Sequence, residues 1–272
     1  MRDSKNEVVS ATAADGYLIA AGVKAAIDRG NLRMGERLLT EGLEALSAPS
    51  SRAELEVALT LRLEEATVAQ YRGDFAQAFD LAEESVVYAD EHFGPRGIHI
   101  GRARLRHNFA MEANREFSRA FRGNLELADQ LVRIPGSDAI RLNCLTRAIA
   151  CAVKNADRDH LRTIGLQSEP IRMKLSWQRD HGVLRWHLFW SAVASLRQDR
   201  VEDANFLIDR ASELAPQSWR WDNAANFVRG YGLTFKLLTE AEGWEVLRAA
   251  RRDAEERGFH GLVRSIDAGF SS

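Results

Sequence analysis

The sequence predicts an all-α fold, a right-handed α-α superhelix of about five to six stacked helical hairpins. Three observations lead there. A short turn recurs between helix-like stretches, as Arg29-Gly30-Asn31-Leu32, Arg72-Gly73-Asp74-Phe75 and Arg122-Gly123-Asn124-Leu125. Apolar residues around these turns return every three or four positions, as in Leu38, Leu39, Leu43 and Leu46, which is the period of a helix with one buried face. At 272 residues the chain is long for one compact core, yet no Pro/Gly/Ser-rich linker divides it. A quasi-linear stack explains that better than two globular units, so one repeat domain over 1–272 is expected.

In the first unit, helical stretches from Gly16 to Asp28 and from Met34 to Leu46 flank Gly30-Asn31. Glycine suits the left-handed residue that ends a helix, and Asn or Asp caps the next one by accepting a backbone N–H. Small or apolar residues then follow at fixed offsets, here Gly35, Leu39 and Gly42. The second unit has Ala66 and Ala69 before its turn and Ala78, Ala82 and Ser85 after it. His92 to His99 is rich in turn formers and reads as the connection to the third hairpin. The third turn is placed at Gly123-Asn124, with Ala128 and Val132 after it and Pro135-Gly136 stopping its second helix early. The fifth unit carries Ala192 and Ser195, the turn Asp199-Arg200-Val201, then Ala204, Ile208, Ala211 and Pro216. Helical period and position place the fourth turn around Asn155-Ala156-Asp157 and the sixth around Glu242-Gly243-Trp244.

On these residues the chain resembles the tetratricopeptide repeat (TPR) family, most closely in the second and fifth units. The turns lie about 34 to 50 residues apart, mostly longer than the family's repeat of about 34. In this it is similar to the extended, MalT-like repeat region of bacterial regulators and to the peptide-sensing regulators of Gram-positive bacteria. The resemblance implies a groove lined by the first helix of each hairpin. Offsets counted back from the turns make Lys24, Tyr71 and Phe117 its partner-contacting residues in the first three units, with Tyr17, Thr67, Gln70 and Phe121 beside them. Arg147 and Lys154 follow with Cys151 in the fourth, Trp186, Phe189 and Arg197 with Val193 in the fifth, and Arg229 and Lys236 in the sixth.

Basic and aromatic groups dominate that set. Cations suit a carboxylate-bearing peptide and rings suit its apolar side chains. The expected function is therefore non-catalytic binding of an acidic peptide or protein segment. Two alternatives stay open. One is the ligand-sensing half of a bacterial transcription regulator whose DNA-binding domain is absent from this chain; the other is an enzyme or small-molecule binder on a helical-repeat scaffold. A deep enclosed pocket near Trp186 and Trp190 would favour the second alternative, and an open basic groove would favour the adaptor or the sensor. Exposed substitutions rarely cost much stability, so replacing Arg147, Lys154 and Arg197 by glutamate is expected to abolish partner capture and leave the array folded.

Composition narrows the remaining classes. A net charge of -2 gives no general pull toward nucleic acid or membrane. Its distribution is uneven: Glu36 to Glu91 holds thirteen acidic residues and four arginines, whereas Arg96 to Arg122 holds seven arginines and two glutamates. Solvated outer faces or a charged docking surface would both account for this. Cys144 and Cys151 lie roughly 10 Å apart on one predicted helix, too far for a disulfide, and point to a reducing compartment. With no apolar leader or ~18-residue apolar run, a cytoplasmic location is expected, and 32 arginines against 5 lysines suit a GC-rich bacterial genome. All six tryptophans lie in the last hundred residues, which reads as tight hairpin packing, with a pocket or homodimer surface as the alternative. His181 and His187 are six apart on one helix and face opposite sides, so no metal site is expected. Asp157, Asp159 and His160 fall where a helix cap belongs, Gly230-x-Gly232 lacks the phosphate-loop context, and no cofactor is expected.

Overall fold

In a computed structural model, residues 11–155, 157–177, 181–214, 218–234 and 240–270 are described, and they form thirteen helices without a strand among them. Six consecutive antiparallel pairs account for twelve: α1 (Ala11–Asp28) with α2 (Leu32–Ala45), α3 (Arg52–Arg72) with α4 (Phe75–Phe93), and α5 (Ile98–Ala113) with α6 (Phe117–Gln130). Then come α7 (Asp138–Lys154) with α8 (Arg158–Trp177), α9 (His181–Leu196) with α10 (Val201–Glu213), and α11 (Trp219–Thr234) with α12 (Glu240–Glu256). The last helix, α13 (His260–Phe270), packs on α12.

Local chemistry sets the ends of these helices. Gly30 and Gly73 hold φ of 75° and 96° at the first two turns, and the Asn31 side chain caps α2 by accepting from the Met34 N–H at 3.1 Å. Ser51 and Glu54 close a reciprocal capping box on α3. Ser51→Ala is therefore expected to cost about 1 kcal/mol, read as a lower urea midpoint at unchanged m-value; an unchanged midpoint would show the box to be idle.

Two turns depart from the sequence expectation. The third lies at Asn114-Arg115-Glu116, where Arg115 takes the left-handed backbone with φ 66°. Gly123 is inside α6, and a Cβ on it would meet Asn108 Oδ1 at 2.7 Å, so its missing side chain serves helix packing. An arginine in the left-handed region costs only about 1–2 kcal/mol, which two well-packed helices supply, and the glycine signature is lost as a result. The sixth expected turn is likewise displaced, because Glu242-Gly243-Trp244 lies in the first turn of α12. There a Cβ on Gly243 would meet the Gly230 carbonyl oxygen at 2.7 Å, so both glycines permit the close approach of α11 and α12.

With the third turn corrected, the repeat is more regular than the sequence spacing suggests. Leu32, Phe75, Phe117, Arg158 and Val201 open the second helices at successive spacings of 43, 42, 41 and 43 residues. The buried positions keep the same register: Ala78, Ala82 and Ser85 in α4 and Ala204, Ile208 and Ala211 in α10 have no exposed surface. In α6 Ala120, Asn124 and Leu127 fill those places. Small side chains here let paired helices approach closely, and each turn of helix contributes one to the seam.

The first helices of the pairs also touch in sequence, α1 to α3, α5, α7, α9 and α11, and α11 returns to α1. The circuit is closed further by α13 against α3. Phe259 is fully buried between Tyr71 and Trp219, at ring distances of 5.4 and 4.6 Å. Ala254, Phe259 and Val263 consequently belong to the same apolar cluster as Val23, Leu39 and Val57 near the other end of the chain. Arg220 in α11 pairs with Asp28 of α1 at 3.3 Å. Among the described residues no helix is long and apolar enough to cross a membrane.

Candidate functional site

The first helices of the pairs carry a basic and aromatic cluster. Its first centre is Glu112, which is 2% exposed. On α5 the residues Arg106, Phe109 and Glu112 follow at three-residue steps on one face, while Arg147 and Lys154 lie two turns apart on α7. Arg147 donates to Glu112 through Nε at 2.8 Å and through Nη2, and Lys154 Nζ donates at 2.5 Å. Burial alone would raise the Glu112 carboxyl, but the charges and hydrogen bonds of Arg147 and Lys154 outweigh it and hold it below the usual carboxylate range. Both cations also face Trp190, at 5.1 and 5.2 Å from its ring centre, and Arg147 lies 4.1 Å from that of Phe109.

The second centre lies where α3, α9 and α11 converge. The Arg220 guanidinium is 5.2 Å from the Tyr71 ring centre and 4.8 Å from that of Trp186. Arg185 lies 5.7 Å from the centre of Trp186 and 5.3 Å from that of Trp221, and it is 7% exposed. Its Nε and Nη1 are sealed from solvent without a hydrogen-bond partner. Between the two centres, Arg106 donates to Gln70 Oε1 at 2.8 Å and to the Ala66 carbonyl at 3.2 Å. Burial pulls its guanidinium down to about 10, with the charges of Arg147 and Arg220 acting in the same direction. Among the described residues, five cations are thus linked to three carboxylates, Arg147 and Lys154 to Glu112, Arg106 to Glu64, and Arg185 and Arg220 to Asp28.

Of the residues expected from the sequence, Tyr71, Arg147, Lys154 and Trp186 come together in this cluster. Phe117 reaches its edge, 5.8 Å from the Lys154 ammonium, but it opens α6, the second helix of its pair, because the turn precedes it. Phe189 is a core residue, 6% exposed and packed edge-on against Trp186 and Trp190. Lys24 is exposed on α1. Arg229 is exposed and pairs with Asp209 of α10 at 3.3 Å, and Arg197 lies over Tyr231 at 5.7 Å at the end of α9. Lys236 lies outside the described residues.

Arg106, Phe109, Glu112, Arg185 and Arg220 are absent from the expected set. The misplaced third turn assigned α5 no inner face, although Arg102, Arg106 and Phe109 recur at helical spacing and would have marked one. The arginine-rich third unit in fact leans on the acidic second, with Arg102 reaching Thr60 at 3.3 Å and His99 reaching Glu56 at 3.4 Å. Of the arginines of the third unit, Arg106 also lies within electrostatic reach of Glu64 in the second.

Asp157 leads into α8 and bonds His160 at 2.7 Å, with its carboxyl lowered by that bond. Buried His187 shares a 3.0 Å hydrogen bond with Thr146 and is pushed down to about 4 by burial, so it is a neutral core histidine. Cys144 and Cys151 are free and buried, and burial raises both thiols, Cys144 to about 12; neither is an activated nucleophile. Among the described residues no group of three His, Cys, Asp or Glu side chains could hold a metal ion. No protein-family model matches the chain, and no curated protein is detectably similar to it in sequence.

Proposed function

We propose that the protein is a non-catalytic, TPR-like receptor that holds a carboxylate-bearing peptide or protein segment against its inner helices. The observation that carries this reading is the convergence of five cations and the rings of Tyr71, Phe109, Trp186 and Trp190 from α3, α5, α7, α9 and α11, with fewer carboxylates than cations among them. Guanidinium groups offer paired N–H donors to carboxylates, and rings accept apolar side chains. The regular repeat spacing supports a right-handed α-α superhelix whose last hairpin docks on its first, and the free thiols support a reducing, cytoplasmic setting.

The test is fluorescence anisotropy with two labelled peptide sets that share an apolar core, one rich in Asp and Glu and the other with Asn and Gln in their place. The acidic set is expected to bind more tightly and to weaken with added salt, because partly exposed charges are screened. Arg106→Gln with Arg220→Gln is expected to lose on the order of 10-fold or more, from about 1.5–3 kcal/mol per charged hydrogen bond. Equal binding of both sets, insensitive to salt, would refute the reading. Closure of α11 on α1 and of α13 on α3 favours a second reading, an enclosed small anionic molecule in place of an extended segment, and peptide length dependence separates the two.

A further inference from the structure

We infer that Arg185 and Arg220 form a discrete oxyanion subsite of this interior, one that takes the carboxylate of an aromatic acid or of a peptide's aromatic C-terminal residue, with the ring against Trp186 and Tyr71. The inference rests on the receptor reading above and sharpens it to one group of the ligand.

Arg185 is the reason. A guanidinium keeps its proton in proteins, so this side chain is a charge, and it is more than nine-tenths buried. Nε and Nη1 are both without a partner, which leaves a donor open on each edge of the fork. The carboxylate acting on it is Asp28, and Asp28 already accepts from Arg220. The Arg220 guanidinium adds a second like charge over the same Trp186 ring. Two cations facing one indole and sharing Asp28 as carboxylate are an arrangement that an incoming anion relieves, and an open N–H of Arg185 is a charge-assisted donor for one carboxylate oxygen. The remaining walls are rings, and Trp186, Tyr71 and Arg220 keep part of their surface accessible, so the body of the ligand meets aromatic faces while its carboxylate meets the arginines. Structural packing is the competing account of Arg185, and it predicts the opposite response to removal of the charge.

The experiment is a thermal-unfolding series on the full chain. The probes are benzoate and acetyl-phenylalanine, each beside its uncharged amide. Both acids are expected to raise the Tm of the wild type and the amides to leave it unchanged; the larger rise tells a free aromatic acid from a peptide end. Arg185→Met keeps the length of the chain and removes the unpaired charge. It is expected to raise the ligand-free Tm by about 2–4 °C and to abolish the response to both acids. Arg220→Gln, read by calorimetric titration with benzoate, is expected to weaken binding by about 10-fold, one charged contact. A fall in ligand-free Tm for Arg185→Met, or equal stabilisation by acid and amide, would overturn the subsite. Acidic peptides that still bind Arg185→Met with wild-type affinity would also overturn it while leaving the receptor reading standing, whereas no binding of any peptide to wild type would remove both.

Discussion

Changing Arg147 and Lys154 together to glutamate is expected to unfold the middle of the array. The sequence suggested two exposed groove cations whose reversal, with Arg197, would cost binding and leave the fold intact. In the structure the first two are hydrogen-bond partners of a buried carboxylate, Glu112, with side chains that are 15% and 29% exposed. Removing one partner of a buried pair costs about 3–5 kcal/mol. Reversing both places three carboxylates together around the buried Glu112, and the exposure of Lys154 offsets part of this. Against a total stability of about 5–15 kcal/mol, circular dichroism should show a Tm lowered by more than about 10 °C or no folded baseline at all. A wild-type melting curve would mean that Glu112 is not the electrostatic keystone of α5 and α7.

The same pairing carries a pH dependence whose sign is fixed by its direction. The Glu112 carboxyl is lower in the folded than in the unfolded state, so its stabilisation is fully present above the unfolded carboxyl value of about 4.3. It is lost as pH falls from there through the depressed folded value. Glu112→Gln should melt at lower temperature than wild type near neutrality, and the gap should close below about pH 4.

Gly261→Val is expected to detach α13 from α3 and open the circuit. A Cβ on Gly261 would overlap the Gln70 carbonyl oxygen and crowd the Tyr71 Cα at 3.3 Å, and backbone cannot move aside as a flexible side chain can. Relief requires α13 to lift, which exposes Phe259 and Val263 and takes Phe259 from between Tyr71 and Trp219. Losing most of the burial of one such aromatic side chain and one valine is worth about 3–5 kcal/mol. A Tm lower by about 6–15 °C, early proteolysis within α13 and a larger radius of gyration should follow. Gly258→Ala is the control: its φ of 78° is strained for alanine, but a Cβ there has nothing within 4 Å, so about 1–2 kcal/mol of backbone cost is all that applies. Indistinguishable behaviour of the two variants would show that α13 does not close the array.

The helices and most of their pairing are legible in the sequence, because Gly30, Gly73, Ala78, Ala82, Ala204 and Ala211 report local requirements: a left-handed turn, a cap, a small residue in a seam. Those requirements act over one hairpin, and a hairpin is contiguous in sequence. The third turn escaped for a related reason. Arg115 and Asp199 adopt the glycine backbone without being glycine, and at Asp199 the flanking small residues still marked the place, whereas at Arg115 a glycine eight positions on imitated the motif.

What joins Asp28 to Arg220, Tyr71 to Phe259 and Arg106 to Gln70 is of another kind. These contacts join helices far apart in sequence, and no local pattern encodes which distant helices meet. The chain's own sequence determined an all-helical array of paired helices, its alanine seams and the basic and aromatic character of several first helices. Only the tertiary structure decided that the ends meet, that Arg147 and Lys154 are held by Glu112, and that Arg185 is buried with its Nε and Nη1 unbonded. Burial of a charged side chain is set by neighbours far away in sequence, and those neighbours exist only once the circuit has closed.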